Sequence, residues 1–373
     1  MKNSTLFIAL IFFDCFALSA HVQASGIDSL NSPPPVEIAG TQSLHFTSAI
    51  MGQEFDLYVN LPRDYQDTTK SVPVVYLLDG QWDFTLLNAI FGQQYYDGFV
   101  PSVIVVGIAW GRKNPDFDFL RARDLTPSVV PQSPQSGNAP KFLQFLTTEV
   151  IPFIDAHYRT KKDDRTLIGS SLGGLFTLYT LFTTPEMFNR YVLTSPAIGW
   201  DKGVISSYEQ KFAERKTHPH VKLFMADGGL ESGAGSFQKF ADNLKGQNIE
   251  GLEMESRILE GMGHSGGKAE GFTRGLQYVF TRPSLTLDPA VLDQYTGTYQ
   301  SNSDFKVKVE RENDRLVGVG PDGSKIPVFA ESAEDFYAKG QYLFVHFKKN
   351  ENGKVAGVQI DQFGGSQFLK KID

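Results

Sequence analysis

The sequence predicts an α/β protein: a doubly wound, mostly parallel sheet, entered through antiparallel strands and followed by a small all-β, barrel-like module. Three observations carry this. Between residues 72 and 280, short apolar runs suited to strands buried on both faces alternate with helical stretches. Before them, residues 37–62 alternate apolar and polar side chains, as half-buried antiparallel strands do. After Thr281-Arg282-Pro283 the helical pattern stops, and only short strand-like pieces with turn-rich joints remain.

The chain has 373 residues, 41% of them hydrophobic and 13% aromatic, ample for a large core plus an appended module. Residues 1–24 read as an export signal: Lys2 gives a positive start, Leu6 to Ala20 is apolar, and Val22-Gln23-Ala24 is a small-x-small cleavage site before Ser25. The run is interrupted by Asp14 and is shorter than the roughly 20 apolar residues a bilayer needs. The expected location is therefore outside the cytoplasm, periplasmic or secreted, with no membrane-spanning segment in the mature chain. The single cysteine, Cys15, lies within the signal, so the mature chain would carry neither thiol nor disulfide. Residues 25–36 are a flexible, proline-bearing leader, 37–283 the α/β domain and 284–373 the β module. The net charge of −7 is spread without a basic stripe, which excludes nucleic acid as a partner.

Within the α/β region, Phe55 to Leu61 has the alternating pattern of an entry strand. Val72–Leu78, Ser102–Ile108, Thr166–Gly169, Arg190–Thr194 and Val221–Ala226 are the buried strands. Phe142, Phe145, Leu146, Val150, Phe153 and Ile154 recur at helical spacing, with Pro152 expected to bend the helix. Phe237, Phe240, Ala241 and Leu244, then Phe272, Leu276, Val279 and Phe280, mark two later helices. In the tail, Phe305–Val309, Arg315–Val319, Lys325–Phe329, Tyr342–Phe347 and Val355–Ile360 are strand-like.

Gly169-Ser170-Ser171-Leu172-Gly173 fits G-x-S-x-G between the apolar Thr166-Leu167-Ile168 and a helix-compatible run. That strand–turn–helix setting is what a nucleophile elbow requires, and it makes Ser171 the candidate nucleophile. The amide of Leu172, at the helix N-terminus, is placed to stabilise an oxyanion. A serine hydroxyl needs a base. His264 sits on the glycine-rich loop Gly261–Gly267 after a late strand, where this arrangement presents one, whereas the other six histidines lie in the signal, in strand patterns, at a helix end or in a polar loop. An orienting carboxylate should follow an earlier strand, and Asp227-Gly228-Gly229-Leu230-Glu231 supplies two candidates, Asp227 and Glu231. The second oxyanion donor is expected after Val74–Leu78, where Gly80 lets the backbone approach and leaves the amide of Gln81 or Trp82. Asp79 is expected to be structural. All three tryptophans, Trp82, Trp110 and Trp200, follow apolar strands, where open parallel sheets bind ligands, and are candidates either for a substrate wall or for caps on the core under the loops. Arg112, Arg121 and Arg123 lie on a polar segment and read as a solvated face, with contact to an anionic substrate as the alternative.

With these residues placed, the chain resembles the esterase-D-like and enterochelin-esterase-like family of α/β-hydrolases, which also includes feruloyl esterases and mycolyltransferases. The resemblance spans about Glu37 to Phe280. It rests on Tyr76-Leu77-Leu78-Asp79-Gly80, Arg123-Asp124-Leu125-Thr126-Pro127, Phe142-Leu143-Gln144-Phe145-Leu146, Ile168-Gly169-Ser170-Ser171-Leu172-Gly173-Gly174-Leu175 and Thr194-Ser195-Pro196. It implies Ser171 as nucleophile and His264 as base. In the siderophore-esterase branch the acid is a glutamate after a Gly-containing loop, which favours Glu231, while other branches use an aspartate and keep Asp227 open. The tail, from Leu287-Asp288-Pro289 through Leu292-Asp293-Gln294-Tyr295-Thr296-Gly297-Thr298-Tyr299, resembles the lipocalin-like module appended to serine β-lactamases and hydrolases.

The expected function is a serine hydrolase that cleaves small-molecule carboxylic esters, of siderophore type or with aryl or acyl groups, through an acyl-enzyme, with no metal or organic cofactor. An acyltransferase sharing the first half-reaction is the alternative within catalysis, separated by product analysis with an added acceptor. A ligand-binding protein on a hydrolase fold is the alternative outside it, and failure of a fluorophosphonate to label Ser171 would favour that one.

Overall fold

The structure, a computed structural model, describes residues 36–373 apart from 112, 304 and 364. The export signal, Cys15, Arg112 and all but the last residue of the leader lie outside the described residues. The first described segment, 36–39, is irregular.

From Gly40 onward the chain is one compact unit. Eight strands form its main sheet: β1 (Thr41–Ser48), β2 (Gln53–Asn60), β3 (Val72–Leu77), β4 (Ile104–Trp110), β5 (Thr160–Ser170), β6 (Arg190–Thr194), β7 (Val221–Gly228) and β8 (Leu252–Leu259). Their order is β1-β2-β4-β3-β5-β6-β7-β8. β1, β2 and β4 pair antiparallel, while β4, β3 and β5 to β8 run parallel, so the antiparallel entry predicted from residues 37–62 sits at one edge.

Parallel strands need crossovers, and helices supply them on both faces. They are α1 (Gly80–Tyr96), α2 (Phe117–Asp124), α3 (Ala139–Phe145), α4 (Ile151–His157), α5 (Leu172–Thr183), α6 (Ile205–Ala213), α7 (Ala234–Gly246) and α8 (Gly267–Val279). Strand alternation sorts the core. Val74 and Tyr76 of β3 face one layer with Phe142, Phe176 and Phe212, whereas Val75 and Leu77 face another with Phe84, Leu87, Phe272 and Leu276. The bend expected at Pro152 appears as a π-helical turn, Leu146–Val150, between α3 and α4. Proline has no N–H for the helical ladder, and the wider turn absorbs the fault.

The short helix α9 (Pro289–Asp293) leads into a closed antiparallel barrel. Its strands are β9 (Gly297–Gln300), β10 (Lys306–Glu312), β11 (Arg315–Val319), β12 (Lys325–Ala330), β13 (Asp335–Tyr337), β14 (Leu343–Lys349), β15 (Val355–Gln362) and β16 (Gly365–Lys371). Five were legible. β13 has three residues, too few for a periodicity, and β9 and β16 carry too few apolar residues to signal burial. Closure removes every exposed edge.

The barrel packs on the C-terminal ends of α1 and α8. The Tyr342 amide donates to Tyr96 O at 3.2 Å, Tyr96 packs on Phe363 with centroids 4.2 Å apart, and Arg282 pairs with Glu331 at 3.0 Å. Both helices begin at the opposite, carboxyl edge of the parallel strands. That edge is about 25 Å away along the 17-residue α1.

Candidate active site

Three non-glycine residues with positive φ stand just beyond the carboxyl ends of neighbouring strands: Asp79 after β3 (φ 56°), Ser171 after β5 (φ 58°) and Ser195 after β6 (φ 44°). Such backbone costs of order 1–3 kcal/mol each and persists only where the surroundings impose it. At Ser171 the imposition is visible. Its N–H donates to Thr194 O at 3.0 Å, and its carbonyl accepts from Leu175 and Ala197 at 2.9 and 3.1 Å. A Cβ on Gly169 would lie 2.3 Å from Gly173 O, so only glycine lets β5 turn this tightly into α5. The Ser171 hydroxyl makes no capping bond, and the Leu172 N–H has no acceptor among the described residues.

The loop after β7 carries Glu231 to the same edge. Its Oε1 accepts the Ser195 hydroxyl at 2.5 Å and the Gly228 amide at 3.0 Å, and its Oε2 lies 2.6 Å from His264 Nδ1. Burial pushes this carboxyl up, but the Ser195 hydroxyl, the imidazole and the Gly228 amide outweigh it and hold the group below its ordinary range. An ionised Glu231 accepts from Nδ1–H and leaves Nε2 as the free, basic nitrogen. Half of the His264 side chain is exposed. Among the described residues no hydrogen bond joins it to Ser171.

Asp227, the other candidate acid, is 5% exposed on β7 and makes no hydrogen bond to the imidazole. Burial, and then the Glu231 charge, raise it to about 6 against the partial relief of His264. The structure thus brings Glu231, and not Asp227, against His264. Ser195, which holds Glu231 from beneath, was not singled out in the sequence for that contact. Its only signals were its place at a strand end and in the Thr194-Ser195-Pro196 match.

Across the sheet, Gly80 lies so close to β4 that a Cβ would sit 2.8 Å from the Gly107 carbonyl carbon. This brings the start of α1 to the edge near Gly173, where a Cβ would lie 3.0 Å from Asp79 Oδ2. Of the two candidate donors there, the Trp82 N–H is taken by Asp79 O at 3.0 Å, while the Gln81 N–H has no acceptor among the described residues. The side-chain amide of Gln81 is also buried without a partner.

Asp79, 1% exposed, receives two bonds from Arg121, at 2.7 and 3.0 Å. Arg121 thus braces the α1 turn rather than belonging to a solvated face, and its guanidinium also covers the Trp82 ring at 5.2 Å. Replacing Arg121 with methionine strands the buried Asp79 charge. We expect a loss of about 3–5 kcal/mol in urea unfolding, partly restored by adding Asp79→Asn. Arg123 is likewise paired, with buried Asp124. Lys268, at the start of α8, bonds Asp83 of α1 at 2.8 Å and ties the loop after His264 to the Gln81 turn.

The three tryptophans do not form one wall. Trp82 is 46% exposed beside Phe117. Trp200 is half-buried, its indole N–H donating to Ser128 O at 3.2 Å. Trp110 is 4% exposed, bonded to Asp124 at 2.8 Å and packed near Phe142, so it is a core side chain. Apolar β4 is covered on both faces, which draws its terminal indole inward. No cluster of three or more His, Cys, Asp or Glu suited to a metal occurs among the described residues. Nor does any helix there have the length and apolarity to cross a membrane.

A parallel sheet wound on both faces, with antiparallel strands at one edge and a strained serine turn at its carboxyl end, defines an α/β-hydrolase. The chain belongs to the "Putative esterase" family, which matches residues 48–258. A domain family of unknown function, DUF3471, matches residues 281–371. The chain is 31% identical over 210 residues to the ferri-bacillibactin esterase BesA of Bacillus subtilis, covering 52% of this chain and 72% of that one. It is 28% identical over 194 residues to the siderophore triacetylfusarinine C esterase of Aspergillus fumigatus, with 50% and 66% covered. Among solved structures, the BES protein from Bacillus cereus superposes with a TM-score of 0.62 at 25% identity, over 68% of this chain and 99% of that one. An IroE-like serine hydrolase from Shewanella oneidensis gives 0.59 at 25% identity, over 68% and 85%.

Proposed function

We propose that this protein is a serine esterase that cleaves siderophore-type esters through an acyl-enzyme. The observation that carries the reading is the ionised Glu231 bound to His264 Nδ1 at the same sheet edge as the strained Ser171 turn. In this reading Ser171 attacks the ester carbonyl as His264 Nε2 takes its proton. Glu231 holds the imidazole in the tautomer whose Nε2 is unprotonated and stabilises the imidazolium that forms. The amides of Leu172 and Gln81, both free of other acceptors among the described residues, take the negative charge on the carbonyl oxygen. The protonated imidazole then gives its proton to the leaving alcohol. Water, deprotonated by the same nitrogen, attacks the acyl-enzyme and releases Ser171 and the acid.

Siderophore esters are the proposed substrate class because the curated relatives named above are a ferri-bacillibactin esterase and a siderophore triacetylfusarinine C esterase. The exposed Trp82 ring and the unpartnered Gln81 carboxamide offer such a substrate an aromatic face and one polar anchor. An exported location follows the reading of residues 1–24. The direct test of the chemistry is a fluorophosphonate probe with peptide mapping. A stoichiometric adduct on Ser171, with loss of cleavage across a panel of siderophore lactones and simple aryl esters, is expected. Full cleavage by protein carrying that adduct would overturn the reading.

A further inference from the structure

The C-terminal barrel is packed at one end and hollow at the other. At the end that α9 approaches, Tyr295, Phe336 and Phe347 fill the interior, with Tyr295 stacked on Phe347 at 4.2 Å and Phe336 edge-on to it at 5.5 Å. Beyond Phe347, towards the Gly320–Ser324 loop, the barrel encloses an open cavity of about 430 Å³. Well-packed interiors leave few voids larger than a water molecule, and a space this size is within the range of small-molecule sites.

The walls of the cavity follow the inward positions of successive strands: Val307 and Val309, Ile326 and Val328, Leu343 and Val345, Val358 and Ile360. Gly318 takes an inward position between Val309 and Ile326 in the strand register. A Cβ there would meet nothing nearer than Ile326 O and Val307 Cγ1, both at 3.9 Å, so the side chain that would narrow the cavity is missing where there is room for it. The lining contains no basic residue, and its one ionisable group is Asp322. The Ser324 hydroxyl and amide hold that carboxyl below its ordinary range, so it is charged at neutral pH and repels anions. Gln362 and Gln367 supply neutral polar groups at the same end.

We propose that the open half of the barrel binds one uncharged, elongated apolar small molecule, at a site separate from Ser171. The apolar part lies along the Val307, Ile326, Leu343 and Ile360 walls, and any polar end faces the glutamines. A fatty carboxylate is disfavoured because its charge would meet Asp322. The barrel packs on the ends of α1 and α8 opposite the catalytic edge, so its occupation does not depend on the esterase reading.

The test uses the neutral fluorophore N-phenyl-1-naphthylamine with the intact chain. Saturable binding of one probe per chain is expected, unchanged after fluorophosphonate treatment and displaced by 1-decanol but much less by decanoate. Gly318→Leu, which fills the cavity, should weaken probe binding at least tenfold, with thermal unfolding and ester cleavage as in the wild type. Leu343→Trp fills the space from another strand and serves if Gly318→Leu does not fold. Absence of saturable binding to wild type would overturn the proposal. So would undiminished binding in both variants, loss of binding on fluorophosphonate treatment, or equal displacement by decanoate.

Discussion

Replacing Ser171 with alanine is expected to lower kcat/KM for ester cleavage by about 10⁴- to 10⁶-fold while leaving the folded state intact. The size of the loss follows from what remains. The amides of Leu172 and Gln81 can still polarise a bound carbonyl, and His264 can still deprotonate water, so a small residual rate above background is expected. No covalent intermediate can form. Stability should change little because the Ser171 hydroxyl caps nothing, and the φ of 58° is held by a backbone bond to the Thr194 carbonyl and bonds from the Leu175 and Ala197 amides, all of which alanine keeps. Urea unfolding should agree with the wild type within about 0.5 kcal/mol. A variant that keeps most of its cleavage would remove Ser171 from the chemistry. One that unfolds would leave the labelling experiment to decide.

The second large effect separates the two carboxylates. Glu231→Gln should lower kcat/KM by about 10³- to 10⁴-fold: a carboxamide that turns its N–H₂ toward Nδ1 stabilises the wrong tautomer, and its neutrality leaves the imidazolium unsupported. Asp227→Asn should stay within about threefold of wild type, because Asp227 makes no bond to the imidazole. Its effect is on stability instead. The folded-state value of Asp227 is raised from 3.8 to about 6, so the fold favours the protonated form. That contribution is complete below about pH 4 and is lost as pH rises through 6. Asp227→Asn cannot ionise and should therefore be more stable than wild type at pH 8, by about 1–3 kcal/mol, with the difference vanishing near pH 4. Urea unfolding at the two pH values checks it. If Asp227→Asn abolished cleavage and Glu231→Gln did not, the assignment of the acid would be reversed.

The sheet was legible because its strands are buried on both faces and read as near-continuous apolar runs, as in Val103–Ile108 and Leu223–Ala226. The helices were legible because one face repeats at 3.6 residues, as along Phe272, Leu276 and Val279. The barrel was harder. A small barrel buries only alternate residues, and in β16 the buried residue is Leu369 within a polar stretch. The Ser171 turn was visible because its tight geometry demands glycine at a fixed offset, which is a local requirement. Contacts between distant segments leave no comparable mark. Arg121 reads like any arginine on a polar segment, and its pairing with Asp79 across 42 residues exists only once α2 lies over the α1 turn.

By itself, the sequence determined the fold class, the order of Ser171, the two candidate carboxylates and His264 along the chain, and the turn that holds Ser171. Each follows from periodicity or backbone sterics within a few residues. The tertiary structure decided which acid meets His264, because Asp227 and Glu231 are four residues apart and equally acidic as text. The strand end of β7 keeps Asp227 in the sheet, while the loop beyond turns Glu231 onto Ser195 and the imidazole. It also decided that the Gln81 rather than the Trp82 amide is free, that Trp110 belongs to the core, and that one half of the barrel is left open. These are matters of which groups lie within a few ångströms, and that is set by packing between elements far apart in the chain.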